Sequence, residues 1–116
     1  MNFNWTYEER FYITSLLIVL EIYAGLTPKR KQYVDNIRKQ LYTDNDNLDK
    51  TNKEMLDTCV ELTRMGQVSR KLGACTPEKK QQIKEWANGV LAVDPDFEID
   101  AMKQLLINML LMPINQ

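Results

Sequence analysis

Phe11 to Gly25 reads FYITSLLIVLEIYAG, a helix-length apolar run whose few polar residues cannot make a solvent-facing half. Arg10, Thr14 and Glu21 fall on one narrow stripe at helical spacing, but Leu17 interrupts it, and Ile13, Leu16, Ile18, Val19, Leu20 and Ile22 surround the other faces. A helix with this pattern is buried nearly all round, so the rest of the chain has to wrap about it.

Both ends of the run carry stop and start signals. Thr6 followed by Glu9 is a capping box, which places the first helical residue near Tyr7. Gly25 supplies the backbone freedom that a helix C-terminus often needs, so the leading helix spans about 7–24. Thr27-Pro28 then opens a second helix with an N-cap and a first-turn proline that lacks an N–H the helix would not have used. Its apolar residues Tyr33, Val34, Ile37 and Leu41 share one face. Asp44-Asn45-Asp46-Asn47 ends it, since Asn and Asp side chains compete with the helical backbone. A third helix starts at Asn47 or at the capping box Thr51 to Glu54, buries Met55, Leu56, Cys59, Val60 and Leu62, is bent or interrupted at Gly66, and ends at Gly73.

The next segment repeats this punctuation. Thr76-Pro77 matches Thr27-Pro28, and Val34, Ile37, Leu41 and Tyr42 then fall on Ile83, Trp86, Val90 and Leu91. With one inserted residue, Asp44-x-Asp46 falls on Asp94-x-Asp96, and Met55, Leu56, Cys59 and Val60 land on Leu105, Leu106, Met109 and Leu110. Any two amphipathic helices share a period, but here the Gly, Thr-Pro and Asp-x-Asp signals recur as well. An internal duplication of a helix, acidic turn and helix, with units at about 27–72 and 76–112, accounts for this. The last helix is expected from about Pro95 to Met112, stopped by Pro113.

The whole is an all-α bundle of about five helices in a single domain, with helices one and five central. At 116 residues the chain buries roughly two-thirds of its unfolded-state surface, enough for one core. Apolar residues at 44% and charged residues at 27% describe a globular protein rather than a disordered chain. Cys59 and Cys75, without any histidine, do not make a zinc site and suit a reduced, cytoplasmic chain. The apolar run is shorter than the roughly 20 residues that cross a bilayer and contains Glu21, and Glu8 and Glu9 precede it, which excludes a membrane span and a signal peptide.

The segments Tyr23-Ala24-Gly25-Leu26-Thr27-Pro28 and Leu72-Gly73-Ala74-Cys75-Thr76-Pro77 resemble the TerB-like (tellurite-resistance) helical family over most of the chain. The resemblance implies a helical stress-response or accessory domain acting at complexes, without a defined reaction. Family members typically carry an acidic residue, associated with divalent-metal binding, just before the loop glycine. Ala24 and Leu72 stand there in this chain.

Candidate sites are few. Asp44, Asp46, Asp94 and Asp96 are the best hard-cation ligands, but counting from Asp44 puts Asp49 where the EF-hand glycine belongs and Met55 where its bidentate glutamate belongs. These acids read first as helix caps, and no metal or cofactor is expected. Cys75 lies just before a helix N-terminus, near Lys79 and Lys80, features that lower a thiol pKa. No residue set supports catalysis, so the protein is expected not to be an enzyme.

Lys29, Arg30, Lys31, Arg38 and Lys39, offset by Asp35, make the second helix basic. That suits nucleic-acid phosphates, but the net charge of -1 and the acidic turn that follows favour a solvated face or a mixed-charge protein contact. In the last helix, Leu105, Leu106, Met109 and Leu110 are expected inward and Ile107 and Leu111 on the opposite face, where either the first helix or a partner covers them.

The expected function is a protein–protein interaction module, an adaptor or inhibitor of the kind phages and mobile elements carry. Its partner surface would include Ile107, Leu111, Met112, Lys31, Arg38 and Lys39, and a homo-oligomer fits the same surface. A TerB-like metal-responsive domain and a nucleic-acid binder are the alternatives.

Overall fold

The computed structural model describes residues 4–42, 62–95 and 98–115, with residues 62–65 described by their backbone only. Among them are the helices α1 Tyr7–Ala24, α2 Pro28–Leu41, α3 Leu62–Gly73, α4 Pro77–Ala92 and α5 Ala101–Asn115, and no strand. The protein is an all-α bundle, and no described helix is long and apolar enough to cross a membrane. The expected start of the third helix, its face Met55, Leu56, Cys59, Val60 and Leu62, and the Asp44 to Asn47 turn lie outside the residues whose side chains are described.

The axis of the bundle is α1, which packs against every other described helix. Residues 13–17 are buried without interruption, including Thr14 and Ser15. Those two hydroxyls are accommodated inside because each donates to a carbonyl one turn back, Thr14 to Arg10 at 2.8 Å and Ser15 to Phe11 at 2.9 Å. The capping box is complete: the Thr6 hydroxyl accepts from the Glu9 N–H at 3.1 Å, and a Glu9 carboxylate oxygen accepts from the Thr6 N–H at 2.8 Å.

At the other end, Gly25 has φ 120° and donates its N–H to the Glu21 carbonyl. That positive φ favours glycine, and it turns the chain into Thr27, whose hydroxyl caps α2 at the Arg30 N–H. Thr76 caps α4 in the same way, accepting from the Lys79 N–H at 3.4 Å.

The sequence pattern puts Arg30 on a basic outer face, yet its side chain is 0% exposed. Nε donates to the Val90 carbonyl at 3.0 Å and Nη1 to the Ala24 carbonyl at 2.9 Å. Longer bonds reach the carbonyls of Gly25, Leu91 and Asp94. The final carbonyls of a helix have no intrahelical partner, and the guanidinium supplies donors to two such ends at once.

The last helix differs from expectation in extent and in facing. It begins at Ala101 and runs through Pro113 to Asn115. A proline this near the C-terminus removes one N–H, and Ile114, 1% exposed, anchors the final turn in the core. Ile107 and Leu111, expected to face outward, are 0% and 3% exposed, whereas Leu105 and Met109, expected inward, are 58% and 60% exposed. The buried set Ile107, Leu110, Leu111 and Ile114 follows the spacing of a helix face.

Two outcomes follow. Arg30→Met keeps much of the side-chain volume but leaves buried carbonyls unpaired, so the urea unfolding midpoint should fall by the equivalent of about 3 kcal/mol, with Arg30→Lys recovering part of it. Ile107→Lys combined with Leu111→Lys should abolish the cooperative melt followed by circular dichroism, because two ammonium groups would be buried without partners.

Candidate functional site

With its branched residues turned inward, α5 presents a second apolar stripe to solvent. Met102, Leu105, Met109 and Met112 recur at alternating intervals of three and four residues, and each is more than half exposed. This is the seam spacing of a helix that lies along another helix. Met112 is thus exposed, as expected of a partner-facing residue, while Ile107 and Leu111 are not.

Beside the stripe a groove of about 360 Å³ opens between α5 and α3. Leu106, Met109, Leu110, Met112 and Pro113 line it from α5, and Gly66, Ser69 and Arg70 from α3, with Tyr23 of α1 completing the wall. Two glycines of α3, two turns apart, show how it opens. A Cβ on Gly73 would lie 2.6 Å from the Pro113 carbonyl oxygen, so the helices touch backbone to backbone there. A Cβ on Gly66 would meet nothing within 4 Å.

The groove has two polar features. Ser69 is 1% exposed and its Oγ has no hydrogen-bond partner among the described residues, whereas buried hydroxyls are normally paired. Arg70 is exposed at the rim and makes no ion pair among the described residues. Neither α3 nor α5 contains an aspartate or glutamate, and their charged residues are Arg64, Arg70, Lys71 and Lys103.

A second, polar cleft of about 290 Å³ gathers Glu8, Glu9, Tyr12, Lys71 and Cys75 where α1 begins beside the α3–α4 junction. Lys79 donates to both Glu9 oxygens at 2.9 and 3.2 Å and to the Asn4 carbonyl at 3.2 Å. Its ammonium lies 5.3 Å from the centre of the Trp5 ring, which in turn packs 5.8 Å from Trp86. Lys71 donates to the Tyr12 hydroxyl at 3.0 Å and pairs with Glu8, and the Tyr12 hydroxyl donates to the same Glu8 oxygen at 2.8 Å. The cluster ties the start of α1 to two other helices.

Within it, the thiol of Cys75 donates to Glu9 Oε2 at 3.5 Å. The expectation of a lowered thiol pKa is overturned: burial and then the adjacent Glu9 carboxylate push it up, against a smaller pull from Lys79. Burial alone would raise Glu9, but the Thr6 N–H and the Lys79 ammonium hold it below the usual carboxylate range.

On α2, Lys31 and Lys39 are exposed, while Arg38 is ion-paired with Asp35 at 3.8 Å and Arg30 is internal. Glu21, buried on α1, faces this helix. Burial and then Asp35 raise its pKa, opposed by Lys31 and Arg38. Basic α2 thus spends part of its charge on the fold rather than on a ligand.

Asp44, Asp46 and Asp96 lie outside the described residues. The Asp94 carbonyl accepts from Arg30, and among the described residues no three Cys, Asp or Glu side chains converge as a metal site. Ala24 and Leu72, the positions before the loop glycines, are both 1% exposed and apolar. Compared with models of protein families, with curated proteins and with solved structures, the chain matches none.

The environment of Cys75 has a measurable consequence. Iodoacetamide alkylation of Cys75, followed at that residue by peptide mass, should be slower at pH 8 than for a free cysteine, because the raised pKa keeps the thiolate scarce. Glu9→Gln removes the neighbouring negative charge, lowers the thiol pKa and should shift the rate profile to lower pH, with unchanged far-ultraviolet circular dichroism confirming that the fold persists.

Proposed function

We propose that this chain is a non-catalytic protein–protein interaction module, an adaptor or inhibitor working in the cytoplasm, that holds its partner along the outer stripe of α5. The carrying observation is the pair of opposed apolar faces on that helix. Ile107, Leu110, Leu111 and Ile114 satisfy the core, so Met102, Leu105, Met109 and Met112 add nothing to folding that would justify their exposure. Scattered apolar surface residues need no explanation, but a continuous stripe at seam spacing beside a groove marks a contact surface. Methionine suits this task, since its unbranched thioether side chain adapts to a partner without a fixed rotamer. The ionisable cluster around Cys75 points the same way: its lysines and glutamates are engaged in joining helices, and burial and then Glu9 raise its thiol pKa.

The test places a photoreactive benzoylphenylalanine at Met109 and, as a control, at Lys39, in cells of the source organism. Irradiation should give a discrete protein adduct from position 109 and not from 39. Leu105→Gln with Met109→Gln should eliminate the contact while changing stability by no more than about 0.5 kcal/mol, as for other surface substitutions. Adducts that are the same from both positions, or a double variant that still binds, would sink the assignment to α5.

A further inference from the structure

Resting on that reading, we propose that the partner is an acidic amphipathic helix, which lies along Leu105, Met109 and Met112 and seats an aromatic anchor with a polar tip over Gly66, against the Ser69 hydroxyl.

The sign of the partner's charge comes from the walls. The chain as a whole is slightly acidic, with a net charge of -1, yet α3 and α5 carry only basic charged residues. Of these, Lys71 is turned to Glu8 and Tyr12, and Arg70 is the one that lines the groove, where it makes no ion pair among the described residues. Carboxylates flanking an apolar seam would meet Arg70 and no opposing acid on either wall helix, and such complementarity selects partners and speeds their encounter. A second copy of this chain is a poorer occupant, because its own α5 brings a lysine and no carboxylate to the contact.

The helical form comes from the stripe. Its alternating spacing matches the seam of a partner helix, and the adjoining groove runs beside it, the arrangement used in helix-in-groove recognition. At about 360 Å³ the groove is at the small end of ligand cavities, suited to one large side chain. Gly66 leaves its floor open.

The anchor's chemistry comes from Ser69. A hydroxyl at 1% exposure with no partner among the described residues is costly in the free protein, and a tyrosine hydroxyl or tryptophan N–H entering the groove would pair it. Interface anchors are commonly these residues, seated in desolvated pockets.

A displayed library of amphipathic 18-residue helices tests this, with tyrosine, phenylalanine, tryptophan or leucine allowed at the central apolar position and glutamate, lysine, glutamine or serine at the flanks. Selection on the intact protein should enrich glutamate flanks and a central tyrosine or tryptophan. Gly66→Leu would fill the groove while improving helix propensity, so it should abolish binding of the selected peptides with the circular-dichroism melt retained or raised. Arg70→Glu should weaken them at least about tenfold by fluorescence anisotropy. Ser69→Ala should remove the preference for tyrosine over phenylalanine.

Enrichment of lysine, no enrichment of any helix, or binders indifferent to Gly66→Leu would overturn the proposal. If photoadducts still formed at Met109, the interaction reading itself would survive those results. Concentration-dependent dimerisation abolished by Gly66→Leu would assign the groove to a second copy instead. Co-flotation with phosphatidylserine vesicles that Leu105→Gln with Met109→Gln abolishes and Gly66→Leu leaves intact would assign the face to a membrane, and either result would displace the acidic helix.

Discussion

The buried guanidinium of Arg30 joins the carbonyl ends of two helices, and the positions of α1, α2 and α4 depend on it. A buried cation ordinarily calls for a carboxylate. Among the described residues its donors go to the partly negative carbonyls of Ala24 and Gly25 on one side and of Val90, Leu91 and Asp94 on the other. Helix C-termini carry partial negative charge, so two of them converging on one cation lower its burial cost while each end gains the donors it lacks. The placement follows from local chemistry. Gly25 turns the chain, Thr27 caps α2, and Arg30 is the residue whose N–H that cap receives. One helix's N-cap therefore delivers the C-cap of two others.

Residues whose role is set by their neighbours in the chain are legible in the sequence itself. The Thr6–Glu9 box, Gly25, Thr27-Pro28 and Thr76-Pro77 place helix ends as expected, and the crowded apolar run from Phe11 makes α1 the buried axis. Arg30 is not legible in this way. Its neighbours Lys29 and Lys31 are exposed, and nothing local separates a surface arginine from one that reaches carbonyls some sixty positions away. Cys75 misleads for the same reason: Lys79 and Lys80 are near in sequence, but burial in the folded bundle and then Glu9, 66 positions away, push the thiol pKa the other way.

The facing of α5 is hidden for a different reason. Its apolar residues occur on both sides, so periodicity alone allows two solutions, and ending the helix at Pro113 discards Ile114, the residue that completes the true inward set. Side-chain shape distinguishes the faces better than hydropathy does. Ile107, Leu110, Leu111 and Ile114, branched and stiff, fill the core, while three of the four outward residues are methionine. A core that packs to crystal-like density favours defined rotamers, and a surface that meets another molecule gains from adaptable ones.

The groove itself is a product of how α3 meets α5. At Gly73 the absent Cβ lets the α5 backbone settle at Pro113, and the proline, lacking an N–H, presents its carbonyl side to that contact. Two turns earlier on the same helix, a Cβ on Gly66 would enter open space, so the pair is tight at one end and open at the other. Glycine in a helix interior costs roughly 0.5–1 kcal/mol relative to alanine. At Gly73 that cost is offset by the close approach, whereas at Gly66 no backbone approaches the place a Cβ would take. A helix-weakening residue with open space where a side chain would begin, next to a buried hydroxyl with no hydrogen-bond partner among the described residues, is two local departures from good packing at one place. Both lie on the concave surface and neither on the buried axis, so folding draws on α1 and Arg30 while the cost of keeping the groove open is confined to the α3–α5 seam.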